Sequence, residues 1–185
     1  MKRLALAAAL ALATLVPAQA EVLPKPGLFF SSLQKLCGKA FEGRVVTTDP
    51  ADKNFADKRL IMRVAHCDAE TIRIPFSVGE DRSRTWIITR LSGAQLRLKH
   101  DHRHEDGTED VLSQYGGDTL GPESWDRVEF PADDFSKTLF EEKGNPASVT
   151  NVWALELTQT VFAYELRRPN RHFRVEFDLT KPLAE

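Results

Sequence analysis

The chain has no apolar run long enough to span a bilayer and no excess of basic residues. Its longest apolar run, residues 4–16, is shorter than the roughly 20 residues that a transmembrane helix needs. Basic and acidic residues number 25 and 27, so the clustered positive charge that nucleic acid requires is missing. The sequence also contains no Cys-x-x-Cys spacing, phosphate-binding loop or dinucleotide fingerprint. We therefore expect neither a nucleic-acid partner nor a transmembrane segment in the mature chain.

The first twenty residues are predicted to be a signal peptide. Lys2 and Arg3 precede the apolar run, and Ala18-Gln19-Ala20 gives the small-x-small pattern that a signal peptidase cuts. Cleavage after Ala20 leaves residues 21–185, a length typical of one domain. Without Lys2 and Arg3 the basic residues fall from 25 to 23 against 27 acidic ones, a net charge of −4. The sequence thus predicts a mildly acidic single domain that is periplasmic or secreted.

The two cysteines, Cys37 and Cys67, are predicted to form a disulfide. Export would place them in an oxidising compartment, where such bonds form and persist. A bridge closing a loop of about 30 residues would add about 2–4 kcal/mol of stability. The alternative is a pair of buried free thiols.

The hydrophobic pattern predicts an all-β domain. A short helix is expected at Leu28–Leu36, and a second one at Pro131–Lys143 between the seventh and eighth strands. Most of the remaining chain alternates apolar and polar residues with a period of two, which is typical of strands. These predicted strands, joined mostly by short turns, are Phe41–Thr48, Arg59–Cys67, Thr71–Val78, Arg84–Leu91, Gln95–His104, Asp110–Tyr115, Ser124–Phe130, Asn151–Leu157, Thr160–Arg168 and Phe173–Leu179.

About ten consecutive antiparallel strands favour a meander that closes into a barrel, because closure removes exposed strand edges. The first helix would plug one end of that barrel, and the second could cap the other. A two-sheet β-sandwich is the alternative, since the same strand pattern would satisfy it.

This layout resembles the calycin group of barrels, which includes lipocalins, fatty-acid-binding proteins and nitrobindin-like proteins. Four stretches, Ile74–Trp86, Lys99–Asp110, Tyr115–Thr119 and Phe173–Leu179, also resemble a family of uncharacterised secreted bacterial proteins. The second resemblance implies export and a single domain, and it implies no activity.

Three of the five histidines lie at alternate positions of one predicted strand. Alternate side chains of a strand share a face, so His100, His102 and His104 are expected to share a face with Leu96 and Leu98. If the leucines face the barrel interior, the imidazoles do too. The sequence therefore predicts a histidine-lined interior as a candidate site.

These histidines could hold a divalent metal such as zinc. Histidines at positions i and i+2 of a strand lie about 6.7 Å apart and can share one ion, whereas His100 and His104, about 13 Å apart, cannot. A pair therefore needs a further ligand, and His66 is the candidate because its strand places it with Leu60 and Met62. The alternative is that the histidines are core or rim residues hydrogen-bonded to their neighbours.

A second hypothesis is a small-molecule pocket anchored by arginine. Arg84 and Arg90 share one face of a predicted strand with Trp86 and Ile88, and the guanidinium fork suits a carboxylate. Tyr115 could add a hydroxyl. If the opposite face of that strand is the inner one, both arginines are instead solvated.

The remaining charged and apolar stripes are expected to be structural. The charges at 80–82, 97–103 and 167–171 are predicted to lie on outer barrel faces, paired across strands. Phe135, Leu139 and Phe140 are predicted to pack their helix onto the barrel.

The sequence leaves three classes of function open. The leading one is an exported barrel that binds a small molecule or a metal ion beside His100, His102 and His104. The second is a cavity enzyme of the isomerase or lyase type that uses the same histidines as acid and base. The third is a structural or protein-interaction module of the envelope with a filled core.

Overall fold

The computed structural model describes residues 25–120 and 125–184. The predicted signal peptide, residues 1–20, lies outside the described residues, as does the first residue of the predicted strand Ser124–Phe130. In the described part of the chain, no helix is both long and apolar enough to cross a membrane.

The described residues form eleven strands and three α-helices. The strands are β1 Ala40–Val45, β2 Leu60–Arg63, β3 His66–Cys67, β4 Thr71–Val78, β5 Asp81–Arg90, β6 Leu96–His102, β7 Tyr115–Asp118, β8 Arg127–Pro131, β9 Val152–Leu157, β10 Val161–Arg168 and β11 Arg171–Pro182. The helices are α1 Lys25–Gln34, α2 Lys53–Ala56 and α3 Asp134–Glu142, with short 3-10 turns at Pro50–Asp52, Ser92–Ala94 and Pro146–Thr150.

All strand pairs are antiparallel and belong to one sheet. Its order is β7-β6-β5-β4-β2-β1-β11-β10-β9-β8, with the short β3 paired to β4. The sheet curls until its two end strands, β7 and β8, approach each other, so the predicted barrel is confirmed in a nearly closed form and the two-sheet sandwich is not what forms.

Gly117 allows the two ends of the sheet to approach each other. A Cβ on Gly117 would lie 1.8 Å from the carbonyl oxygen of Pro131, at the end of β8. The amide of Asp133 donates a hydrogen bond of 2.9 Å to the carbonyl of Gly116, and the amide of Gly116 donates one of 2.7 Å to Ser136 Oγ. Backbone and side-chain bonds from the start of α3 therefore hold this seam of the barrel.

Strand alternation fills the barrel interior as the sequence predicts. In β4, which spans the predicted residues, Ile72, Ile74, Phe76 and Val78 are all buried. Helix α1 begins and ends earlier than predicted, and its Phe29, Phe30 and Leu33 are fully buried. The helix contacts β6, β8 and β9 and so closes one end of the barrel.

The predicted disulfide between Cys37 and Cys67 is confirmed. It joins the turn after α1 to β3, with a sequence separation of 30 residues. The bond thus ties the helix that closes the barrel end to the barrel wall, and a loop of that size stabilises a fold by about 2–4 kcal/mol.

The predicted strand Arg59–Cys67 forms as two strands, β2 and β3. Met62 pairs with Phe76 and His66 pairs with Arg73, so the break lies opposite Pro75. Because proline has no N–H group to donate to the β-ladder, the partner strand is interrupted opposite Pro75.

The predicted strand Asp110–Tyr115 is mostly a loop, and β7 starts only at Tyr115. Side chains take the hydrogen bonds that a ladder would use: Asp110 accepts from the amide of Leu112 at 2.8 Å, and Ser113 accepts from the amide of His102 at 2.9 Å. Asp and Ser compete with strand pairing in this way because their short side chains reach nearby backbone.

Helix α3 is shorter than the predicted Pro131–Lys143. Asp133 caps its first turn by accepting a hydrogen bond from the amide of Ser136 at 2.9 Å. Phe140 is buried against the barrel, whereas Phe135 is exposed and lies under the ammonium of Lys99. The predicted packing stripe therefore uses Phe140 and excludes Phe135.

Candidate functional site

A cavity of about 260 Å³ lies at the end of the barrel opposite α1. We call it the mouth cavity. It lies where β6 and β10 end and β9 and β11 begin, with further walls from α3 and the loops beside it. Six phenylalanine and tryptophan side chains form much of its lining: Phe55, Phe76, Trp86, Phe140, Trp153 and Phe173.

Trp86 closes the floor of the mouth cavity. Its ring stacks on Tyr164 with centroids 4.4 Å apart and on Phe76 with centroids 4.7 Å apart. Stacked aromatic pairs of this kind add to the stability that burial alone supplies. Because the stack fills the barrel below the cavity, the cavity does not continue into the core.

His100 is buried in the wall and is hydrogen-bonded through both ring nitrogens. Its Nδ1 lies 3.1 Å from the carbonyl oxygen of Tyr115, and its Nε2 lies 2.9 Å from the hydroxyl of Tyr164. A carbonyl only accepts, so Nδ1 carries the proton and Nε2 accepts from Tyr164. Burial lowers the pKa of His100 to about 3, so the ring is neutral at physiological pH. Neither nitrogen is left for a metal ion.

His102 and Tyr115 form a neutral polar pair at the cavity. The Tyr115 hydroxyl lies 3.1 Å from His102 Nε2. Burial, together with the charge of Arg84, lowers the pKa of His102. Burial raises the pKa of Tyr115 to about 12. The pair therefore offers hydrogen-bonding groups without a net charge.

The structure does not bring His104 or His66 to the cavity. His104 follows the end of β6, and its side chain is 55% exposed. His66 is 60% exposed and bonds Asp68 outside the barrel. The break before β3 shifts the inward and outward alternation by one residue, so that Cys67 faces the core and His66 faces outward. Among the described residues, no group of three or more His, Cys, Asp or Glu is placed to hold a metal ion.

The two arginines predicted to share a pocket lie at opposite ends of β5. Arg84 lines the mouth cavity, where it bonds Asp81 at 2.5 Å. Arg90, six residues and about 20 Å along the strand, lies over the ring of Phe30 in α1 at 4.5 Å. The inner face of β5 is the one that carries Trp86, as the pocket hypothesis requires, but the strand is too long for both arginines to reach one ligand.

Two lining arginines were missed by the sequence reasoning. Arg168 and Arg171 belong to the segment predicted to lie on an outer face, yet both line the mouth cavity. The alternation of β10 carried the signal, because Arg168 continues the inward series Phe162, Tyr164 and Leu166. The run of neighbouring charges obscured that signal.

The two missed arginines differ in their partners. Arg171 bonds two carboxylates, Asp52 at 2.5 Å and Asp49 at 3.3 Å. Arg168 bonds neutral groups, donating from Nη1 to Ser148 Oγ at 2.9 Å and to Asn151 Oδ1 at 3.3 Å. The site therefore combines aromatic walls, a neutral His102–Tyr115 pair and arginines at the rim. Comparison of the chain with known protein families, curated proteins and solved structures gave no match.

Proposed function

We propose that the protein binds a small, planar aromatic molecule in the mouth cavity. The observation that carries this proposal is the lining itself, in which six phenylalanine and tryptophan side chains surround about 260 Å³ of space beside a few polar groups. Small-molecule sites are typically concave, apolar and aromatic, with a small number of polar groups that fix orientation.

The size of the cavity limits the ligand. Pockets for drug-sized molecules usually measure about 300–1,000 Å³, and this one measures about 260 Å³. The stack of Phe76, Trp86 and Tyr164 prevents a long chain from extending into the barrel. A ligand of one or two rings fits these limits better than a long acyl chain does.

The His102–Tyr115 pair would orient the ligand. Both groups are neutral at physiological pH, and both lie on the cavity wall. A hydroxyl or carbonyl of the ligand could bond to this pair without the desolvation penalty that a buried charge carries. Of the predicted histidine site, His100 would then have a supporting role and His102 a contacting one.

We also infer that the protein acts outside the cytoplasm, in the periplasm or as a secreted protein. Residues 1–20 have the basic, apolar and small-residue segments of a signal peptide. The disulfide between Cys37 and Cys67 is compatible with an oxidising compartment. A nearly closed antiparallel barrel is also compatible with the calycin-like architecture that the sequence resembles.

The test is calorimetric titration of residues 21–185, purified with the disulfide formed, using 2-naphthoate and its neutral isostere 2-naphthamide. We expect one-to-one binding of at least one probe. Leu112→Trp, which fills the cavity, should weaken binding at least tenfold. The matched control Val111→Trp places the same side chain on the neighbouring residue, which is 68% exposed, and should bind like the unsubstituted protein. Absence of binding for both probes, or full binding by Leu112→Trp, would contradict the proposal.

A further inference from the structure

The charges around the mouth cavity do not balance. Its described lining contains three arginines and no aspartate or glutamate. Arg84 has a carboxylate partner in Asp81, and Arg171 has two in Asp49 and Asp52. Among the described residues, no carboxylate oxygen lies within 4.0 Å of the guanidinium of Arg168. Arg168 therefore brings an uncompensated positive charge to an aromatic cavity.

The guanidinium of Arg168 is held in place along one edge. Ser148 Oγ and Asn151 Oδ1 both accept hydrogen bonds from Nη1, which fixes the direction of the planar group. Within the described residues, Nε and Nη2 of Arg168 have no hydrogen-bond partner, and neither of these two atoms is fully buried. These two nitrogens form the edge of arginine that binds both oxygens of a carboxylate.

The other polar groups of the cavity add no negative charge that would compete with an anion. Burial raises the pKa of Tyr115 to about 12 and that of Tyr164 well above its ordinary value, so both phenols stay protonated. His100 and His102 are neutral for the reasons given above. A cavity with low-dielectric walls and one sign of charge attracts ligands of the opposite sign.

We infer that the ligand is an aromatic carboxylate, with its rings against the aromatic walls and its carboxylate on the Nε–Nη2 edge of Arg168. The inference rests on the proposed function and adds the charge class of the ligand to it. The three side chains that define this subsite are Arg168, Ser148 and Asn151.

The experiment compares 2-naphthoate with 2-naphthamide, which has the same shape and no charge. The unsubstituted protein should bind the acid roughly 10- to 100-fold more tightly than the amide, the range expected for hydrogen bonds to a charged group. Arg168→Gln should remove that preference by weakening the acid and leaving the amide unchanged. Arg168→Lys keeps the charge without the fork and should retain only part of the preference.

Arg167→Gln is the matched control, because Arg167 is the adjacent residue and bonds Glu129 on the outer face. It should leave both affinities unchanged. Two outcomes would overturn the inference and leave the proposed function standing. One is equal binding of acid and amide by the unsubstituted protein, and the other is a full preference for the acid in Arg168→Gln. Should Arg168→Gln fail to fold, the unsubstituted protein still decides: acid binding must weaken with added salt and amide binding must not. If neither probe binds, the proposed function fails and this inference fails with it.

Discussion

The hydroxyl of Tyr164 on β10 donates a hydrogen bond of 2.9 Å to Nε2 of His100 on β6, across the interior of the barrel. Both side chains are buried, and the imidazole has no second acceptor site. The hydrogen bond fixes the orientation of the His100 ring. It also holds the ring that stacks on one face of Trp86, because that ring is Tyr164 itself. It joins opposite walls directly below the mouth cavity.

Removing that hydroxyl should destabilise the fold. In Tyr164→Phe, His100 Nε2 becomes a buried acceptor without a donor, which costs about 1–3 kcal/mol. The Trp86 stack survives because the ring is kept. Urea unfolding followed by tryptophan fluorescence measures the loss. An unchanged urea midpoint would show that the hydrogen bond contributes nothing. Tyr115→Phe serves as the comparison, because it also removes a hydroxyl next to a histidine, but that histidine, His102, is less buried than His100.

Stability should fall on mild acidification because of His100. Its pKa is about 3 in the fold and 6.5 in its ordinary state, so between these values the unfolded chain binds a proton that the folded chain does not. The stabilising contribution is therefore complete only well above pH 6.5, falls as the pH passes below that value, and is reduced by about 2 kcal/mol at pH 5. The lowered pKa of His102 acts in the same direction.

The window from pH 5 to 6.5 separates this effect from that of the carboxylates. Asp81 and Asp178 have pKa values lowered to about 2, and their stabilising contributions are lost only in more acidic solution. His100→Gln keeps a donor for the Tyr115 carbonyl and an acceptor for Tyr164 but does not titrate. Urea unfolding should show a clearly smaller dependence on pH in this variant, and an identical dependence would rule out His100 as the source.

The seam between β7 and β8 should tolerate no side chain at Gly117. A Cβ there would lie 1.8 Å from the Pro131 carbonyl oxygen, a backbone atom that moves only if the barrel opens. Gly117→Ala should destabilise by about 3 kcal/mol, at the upper end of the cost of overpacking. Gly144→Ala is the control: it has open space but a φ of +72°, and should cost only about 1 kcal/mol. Equal effects in urea would mean that the seam is not closely packed.

Much of the fold could be predicted because burial on one side of a sheet forces alternation. The residues Thr71–Val78 alternate without interruption, and this strand has the predicted bounds. Local rules failed where one segment depends on another distant in sequence. Pro75 lies in β4, and the neighbouring strand is interrupted opposite it, between β2 and β3. That interruption turns His66 outward, and no pattern within residues 59–67 indicates it.

The candidate site was predicted in part for the same reason. Alternation placed His100 and His102 correctly on the inner face of β6 but could not show that the strand ends before His104. The alternation of β10 placed Arg168 on the inner face. Its role in the site, however, depends on which charged side chains have ion-pair partners. The carboxylates beside Arg171, Asp49 and Asp52, are about 120 positions away in sequence, so pairing becomes visible only in three dimensions.

Export and oxidation should be visible in the mass of the mature protein. Expressed with its own N-terminus in a bacterium, the chain should appear in the periplasm or medium, beginning at Glu21 and lacking the two thiol hydrogens of Cys37 and Cys67. Replacing both cysteines with alanine should lower the free energy of unfolding by about 2–4 kcal/mol. Reduction of the unsubstituted protein should have the same effect and leave the double variant unchanged. A cytoplasmic product that keeps residues 1–20 would contradict the predicted signal peptide, and insensitivity to reductant would contradict a stabilising role for the bond.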